Sequence, residues 1–588
     1  MKNLTPALFL IFLSLFAAFG QKSKPPPKIA DKPLGAMSGT ISDETGSAIE
    51  DAEISIYPVG SQKWGESFKE TTDRSGKFNF ENLKPRRYKI YVSYAGYVLP
   101  EVFETSPENQ KTYLVNQPVN LIVRKGGAIT GKVLDNSGQP LIKVRVRATR
   151  IRDEFGQKIP AQEFNRYSSQ NFTDDRGIYR LFGLTAGSYL IFVGGGDIFS
   201  EQNLTTKENS PVYHPSDSVD TAEEIRVGYG QEINAVDINF RQMQGFRISG
   251  TILGAKPNAS NNGSVSFSLV NAANGVEIVQ TNVFERNGKY AFQIEQIPDG
   301  EYEIRAVQFG ERGVFSKSSL QKIKIKGADI SDLTVNLKPL NSIKGTVSIE
   351  KNPILDTIKE CPKSTETALT SMIIKFDPSA EEKSVLNLLE NIQQNIFAAL
   401  DENGDFEINR LENGKYFLNV DFPDANFYVK EIFQQISAKG KRNLSGGLNL
   451  GSGENIDSVK IFFSDGAAKI NGKVIVSEKE KTENLSAKFI VYLTPADEAD
   501  KDNVLRYAQT VSSADKTFSF ENVAPGKYFL SAENYSTDKE TVQKSPIFKF
   551  RDAKERLKLY QDVKNGEISL PLKPCQNATV EIKTKNVK

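Results

Sequence analysis

His214 is the sole histidine in a chain of 588 residues, so every imidazole-based reaction would have to run through it. A zinc site built on two or three histidines is excluded, and a serine–histidine relay has one possible base. Its context, Pro211-Val212-Tyr213-His214-Pro215, is a proline-flanked loop, which assigns it a structural role at the surface. Cys361 and Cys575 are the only thiols. A bridge between them needs Cα atoms within roughly 7 Å, and they fall in different parts of the chain, so their pairing stays open. Asp401-Glu402-Asn403-Gly404-Asp405 places oxygens at alternate positions, as a calcium loop does. It lacks the sixth-position glycine and the distant bidentate glutamate, and reads better as a β-turn. No metal or cofactor site is expected. Among 73 acidic residues no particular pair stands out as a glycosidase couple.

Two clusters suit binding. Trp64, Tyr91, Tyr94 and Tyr97 lie close in sequence, and exposed aromatic faces can desolvate the CH side of a sugar ring. The alternative is that these tyrosines fill the end of a core. Arg145, Arg147, Arg150 and Arg152 form a basic stripe able to meet an anionic polymer, or to stand as a solvated strand face.

The elements that must position these residues repeat. An apolar-x-Gly-x-apolar strand opens five segments, around Gly39, Gly131, Gly250, Gly345 and Gly472. Each is followed by a polar turn, an alternating strand, a second turn and a tyrosine that starts another alternating strand. Those tyrosines are Tyr88, Tyr189, Tyr302, Tyr416 and Tyr528. They are expected to be structural, with the hydroxyl bonded to backbone. Alternation at period two puts one strand face in a core, and such self-similarity along the chain means an array of modules. Two copies depart from the pattern: Lys516 and Arg86 stand where the others have turn glycines, so those turns are expected to differ in type. Two extra residues before Tyr302 predict a bulge or longer loop. Helical spacing is confined to Ala380–Gln394 and, more weakly, Ala496–Asp502.

Lys2 and the apolar run from Ala7 to Phe19 read as an export signal ending at Gly20. The run is short for a membrane span, and none is expected in the mature chain. The expected organisation is a signal peptide (1–20), a Pro-rich linker (21–35) and five β-sandwiches. Their bounds are 36–124, 125–242, 245–339, 341–464 and 467–585, with helical insertions in the last two. Short connections predict modules held end to end, in a rod on the order of 150–200 Å. Basic and acidic residues number 74 and 73, so nothing points to a nucleic-acid partner.

Asn136-Ser137-Gly138-Gln139-Pro140-Leu141, Thr173-Asp174-Asp175-Arg176-Gly177-Ile178-Tyr179 and Ala186-Gly187-Ser188-Tyr189 resemble the carboxypeptidase regulatory-like domain. The resemblance is strongest in the second module and weakest in the third. It implies an all-β fold: a tandem array of about five Ig-like, transthyretin-like Greek-key β-sandwiches. It also implies an accessory, non-catalytic role, since one histidine cannot supply the zinc ligands of the peptidase itself. The reading is a non-enzymatic, exported binding or structural protein of the bacterial periplasm, cell surface or exterior. Polysaccharide or other envelope proteins are the expected partners. A carbohydrate-binding platform and, less favoured, a carboxylate glycosidase are the alternatives.

Overall fold

The computed structural model describes residues 34–59, 66–100, 111–156, 158–163, 171–194, 211–216, 219–241, 245–256, 265–273, 275–285, 287–310, 313–358, 361, 369–379, 397–476, 488–513, 515–535, 548–564 and 569–583. The export signal, most of the Pro-rich linker, Trp64 and the helix expected over 380–394 lie outside the described residues.

Five two-sheet sandwiches share one topology. In module 1 the opening strand Gly35–Ser42 is the centre of a three-stranded sheet, antiparallel to Lys77–Leu83 and parallel to the closing strand Val119–Ile122. The second sheet runs Phe68–Thr71, Glu53–Pro58, Arg87–Ser93, Tyr113–Leu114. Module 5 repeats this with Ala468–Ile475 between Thr517–Val523 and Asn577–Lys583. Module 4 adds two strands, Phe427–Gln435 and Lys441–Asn443, outside its closing strand. In module 3 the long closing strand Ile330–Pro339 also pairs with Gly313–Ser318, joining both sheets into one.

The opening glycine recurs because there is no room for a side chain beside it. A Cβ on Gly39 would lie 1.8 Å from the Val119 carbonyl oxygen, and on Gly131, 1.9 Å from that of Val236. In module 5 the Phe518 ring takes the space, 2.3 Å from a Cβ on Gly472. The parallel closing strand can therefore approach only a glycine, and in modules 1, 2, 4 and 5 an aromatic ring from the neighbouring strand seals the gap. The recurring tyrosines act alike in all five modules. Each ring is buried in its module's core. Each hydroxyl donates to the carbonyl four residues back: Tyr88 to Lys84, Tyr189 to Thr185, Tyr302 to Pro298, Tyr416 to Glu412 and Tyr528 to Ala524. This pins the turn that joins the two sheets, and satisfies a polar group that burial would otherwise penalise.

Lys516 does not change its turn. It takes the left-handed backbone (φ 68°) that Gly76 (70°), Gly177 (71°) and Gly404 (83°) take. The hydrogen bonds also match: Lys516 N donates to Ser513 O as Gly177 N does to Asp174 O. Flanking pairing outweighs the strain of a side chain there. The two extra residues of module 3 lengthen its hairpin by one rung, adding the pair Ile252–Tyr290 beyond Gly250–Phe292, and form neither a bulge nor a looser loop. A bulge does occur in every module, further along the same strand pair, where a left-handed residue (Asn82, Gly183, Gln296, Arg410 or Asn522) shifts the register.

Helix content differs from the sequence expectation. The stretch 496–502 forms only a 3-10 turn, Glu498–Asp500. The one long helix among the described residues is Ala553–Lys564 in module 5. Asp552 caps it, its Oδ1 accepting from Lys554 N (2.8 Å) and Glu555 N (3.0 Å). Tyr560 and Val563 are buried, and Arg556 folds back to the Phe550 carbonyl (2.8 Å). No helix among the described residues is long and apolar enough to cross a membrane.

The modules do not line up as a rod. Outer sheet faces carry apolar residues that need cover, so neighbours pack side against side. Leu190, Phe192 and Tyr213 of module 2 bury Val276 of module 3. Phe417 of module 4 packs with Val504, Tyr507 and Phe550 of module 5. Tyr97–Val98 pair with Arg124–Lys125 at the junction of modules 1 and 2, and Lys317 of module 3 pairs with Glu412 of module 4. Module 1 then returns to module 4, so modules 1 to 4 form a closed circuit of contacts.

Candidate binding cleft

The seam between modules 1 and 4 is built on the turn before Tyr88. Arg87 leaves the second sheet of module 1 and donates through Nε to Ser371 O (2.9 Å) and through Nη2 to Phe422 O (2.7 Å). Thr370 returns a hydrogen bond to the Pro85 carbonyl, and the Lys89 ammonium lies 5.9 Å from the centre of the Phe397 ring. Burial draws both the Arg87 and Lys89 pKa values down; Asp421 opposes the shift at Arg87.

Beside this clamp lies a cleft of about 720 Å³. Module 1 lines it with Glu66, Lys84 and Arg86. Module 4 contributes the outer face of its first sheet, where Lys344 is opposite Glu407 and Thr346 is opposite both Asp405 and Lys460. Lys344 Nζ is 3.3 Å from Glu407 Oε1, and Lys460 Nζ donates to Thr346 Oγ1 (2.7 Å). Arg86 Nε is buried and has no hydrogen-bond partner. Asp401, at the cleft edge, spends its Oδ1 on Asn403 N and Asp405 N, both at 2.8 Å. The same Asp-to-backbone pattern closes the turns at Asp73, Asp135 and Asp174. Asp401 therefore belongs to a β-turn, and no group of three His, Cys, Asp or Glu among the described residues could hold a metal.

The tyrosines singled out in the sequence are divided. Tyr91 points outward and meets Tyr57 edge to face, with ring centroids 5.3 Å apart. Tyr94 and Tyr97 form a separate pair, also at 5.3 Å, packed against the core of module 1. The three do not make one flat platform. Three of the four arginines of the stripe are consumed internally: Arg147 is buried over the Phe192 ring, Arg150 donates to the Ala186 carbonyl, and Arg152 pairs with Glu224 (2.6 Å). His214 ties its loop to the closing strand region, with Nδ1 2.6 Å from Asp237 O and Nε2 3.7 Å from Glu223 Oε2. Cys361 and Cys575 are joined in a disulfide, Cα to Cα 5.2 Å, across modules 4 and 5. In the sequence Arg86, Asp401 and Asp405 were singled out only as turn positions and the cleft as a whole was not, because it depends on a contact between modules whose clamp residues Arg87 and Ser371 are 284 residues apart.

No curated protein matches the sequence. Among solved structures, the Bacillus anthracis TIE protein is 16% identical over 73% of each chain, with a TM-score of 0.14. The minor pilin GBS52 of Streptococcus agalactiae is 14% identical over 36% of this chain and 97% of its own, with a TM-score of 0.19. Two B repeats of the collagen binding protein of Staphylococcus aureus are 12% identical over 74% of this chain and 100% of theirs, with a TM-score of 0.13. A family model matches in module 1, one module before the segment where the sequence resemblance is strongest: residues 36–116 match the carboxypeptidase regulatory-like domain.

Proposed function

We propose that this protein is a non-catalytic, exported structural and binding protein of the bacterial envelope or exterior. The observation that carries the reading is the way its modules are fastened, by the disulfide between Cys361 and Cys575 and the Arg87 clamp. A disulfide between modules persists in an oxidising compartment and is kept reduced in most cytosols. The polar side chains with catalytic potential are committed to structure: His214 to a carbonyl, Asp401 to a turn, Glu407 to Lys344. That pattern favours a rigid scaffold over a hydrolase. Fractionation of the producing cells, with mass spectrometry under non-reducing conditions, tests this. The bridged peptide in the envelope or secreted fraction is expected; a cytoplasmic protein with both thiols free would overturn the reading. Turnover of a glycan or peptide by the purified chain would overturn its non-catalytic part.

A further inference from the structure

We infer that this chain is built to carry tension between its two ends, and that the disulfide between Cys361 and Cys575 routes that tension past most of modules 4 and 5. The inference deepens the scaffold reading and rests on its bridged cysteines.

The first part follows from strand direction. In every module the opening and closing strands are hydrogen-bonded neighbours that run parallel. In modules 1 and 2 these are Gly35–Ser42 with Val119–Ile122, and Gly127–Leu134 with Glu232–Ile233 and Ile238–Asn239. In modules 3, 4 and 5 they are Phe246–Leu253 with Ile330–Pro339, Asn341–Glu350 with Asn455–Asp465, and Ala468–Ile475 with Asn577–Lys583. A pull on a module draws the opening strand by its first residue and the closing strand by its last. In parallel neighbours the two pulls are opposed along the strands, so the ladder is sheared and its hydrogen bonds share the load. An antiparallel pair would be peeled from one end, bond after bond. Only Leu340 separates the closing strand of module 3 from the opening strand of module 4, so tension passes directly between them.

The disulfide changes the route from there. Cys361 follows the opening strand of module 4, and Cys575 stands two residues before the closing strand of module 5. They meet where one module hands over to the next: Cys575 N donates to Gly466 O (3.1 Å), and Asn352 N to Asp465 Oδ1 (2.8 Å). The bridge therefore runs beside the peptide link from Asp465 to Ala468. Tension entering at Asn341 crosses the two sulfur atoms and continues along Asn577–Lys583. Each of these strands is then drawn at both of its ends and feels no net shear against its neighbour. The span of 214 residues between the cysteines holds the closing strand of module 4 and the opening strand of module 5, and it is left unloaded.

Single-molecule pulling on the full chain, held by its two ends without reductant, tests this against the Cys361→Ser, Cys575→Ser double variant. The bridged chain should lengthen in steps from modules 1 to 3 alone. Its final length should fall short of the double variant's by about 700–770 Å, at about 3.3–3.6 Å for each of the 214 residues. The bridged chain is then clamped at a force that unfolds modules 4 and 5 of the double variant, and reductant is added. The missing length should appear after the bond breaks, in delayed module steps like those of the double variant. Release of the whole length at the instant of cleavage would show that both modules had already unfolded inside the loop, and would overturn the shielding. Equal final lengths for the two chains would overturn the route through the sulfur atoms. Gradual lengthening of modules 1 to 3, in place of discrete steps, would overturn the shear geometry. All of these are read on purified chain, so they stand or fall separately from the fractionation that tests the scaffold reading.

Discussion

Arg87 of module 1 reaches the Phe422 carbonyl of module 4 at 2.7 Å, although 335 residues separate them in sequence. With its second bond to Ser371, this side chain joins the first module to the fourth and closes the circuit that the chain would otherwise leave open. Hydrogen bonds from a charged donor contribute about 1.5–3 kcal/mol each, so losing both in Arg87→Gln should weaken closure by up to about 3–6 kcal/mol. Small-angle scattering should then show a larger radius of gyration, while circular dichroism stays unchanged. An unaltered scattering curve would mean that other contacts hold the seam.

Four of the five tyrosine corners give a pH signature. Burial holds the Tyr88 phenol up at about 12, and raises those of Tyr189, Tyr416 and Tyr528 as well. The unfolded phenol titrates near pH 10, so the folded state favours the protonated form. The resulting stability is complete below about pH 10 and is lost as pH rises through about 12 at Tyr88. Thermal melts should be flat from about pH 8 to 10 and fall steeply above that. Tyr189→Phe should cost about 1 kcal/mol, and Tyr189→Ala about 3–5 kcal/mol, in both cases mainly in module 2. A melting profile of Tyr189→Ala like that of the parent would remove the corner from the account.

Lys516 holds, at φ 68°, the turn position that Gly76, Gly177 and Gly404 hold in modules 1, 2 and 4. A side chain in the left-handed region costs about 1–2 kcal/mol, and glycine regains part of that against its own entropy. Lys516→Gly should therefore stabilise module 5 by about 1 kcal/mol in denaturant unfolding. The converse change, Gly177→Ala, should destabilise module 2, because its Cβ would stand 2.8 Å from the Val133 carbonyl oxygen at φ 71°.

Strands, turns and corners were legible in the sequence because their causes are local. Period-two alternation marks the inward residues Tyr179 and Leu181, and the glycine at 131 marks the close approach of a backbone. The helix Ala553–Lys564 was missed although Asp552 and Glu555 have the spacing of a capping box, because its exposed face is so polar that the apolar stripe is thin. Module placement was not legible at all. It depends on outward residues such as Phe192, Phe417 and Arg87, which in one sequence look like ordinary exposed strand positions. The cleft shares that fate: Arg86 and Lys460 come to line one cleft only when the first module folds back.

The disulfide between Cys361 and Cys575 offers the sharpest test of how the last two modules are held. It closes a span of 214 residues, for which loop-closure entropy gives a ceiling of about 5 kcal/mol. The measured value should fall below that ceiling, because other contacts already hold the ends near each other. Asn522 donates to the carbonyls of Asp424 and Phe427 (2.9 and 2.8 Å), and Phe417, Tyr507 and Phe550 share one apolar cluster. Reduction, or Cys361→Ser with Cys575→Ser, should thus lower stability by about 2–4 kcal/mol without separating the modules. Adding Phe417→Ala removes an aromatic ring that is buried between them, and should cost a further 3–5 kcal/mol or so. In that triple variant, limited proteolysis should release module 5 as a folded fragment, while the double cysteine variant stays intact. Release from the double variant alone would show that the disulfide, and not the aromatic seam, holds the two modules together.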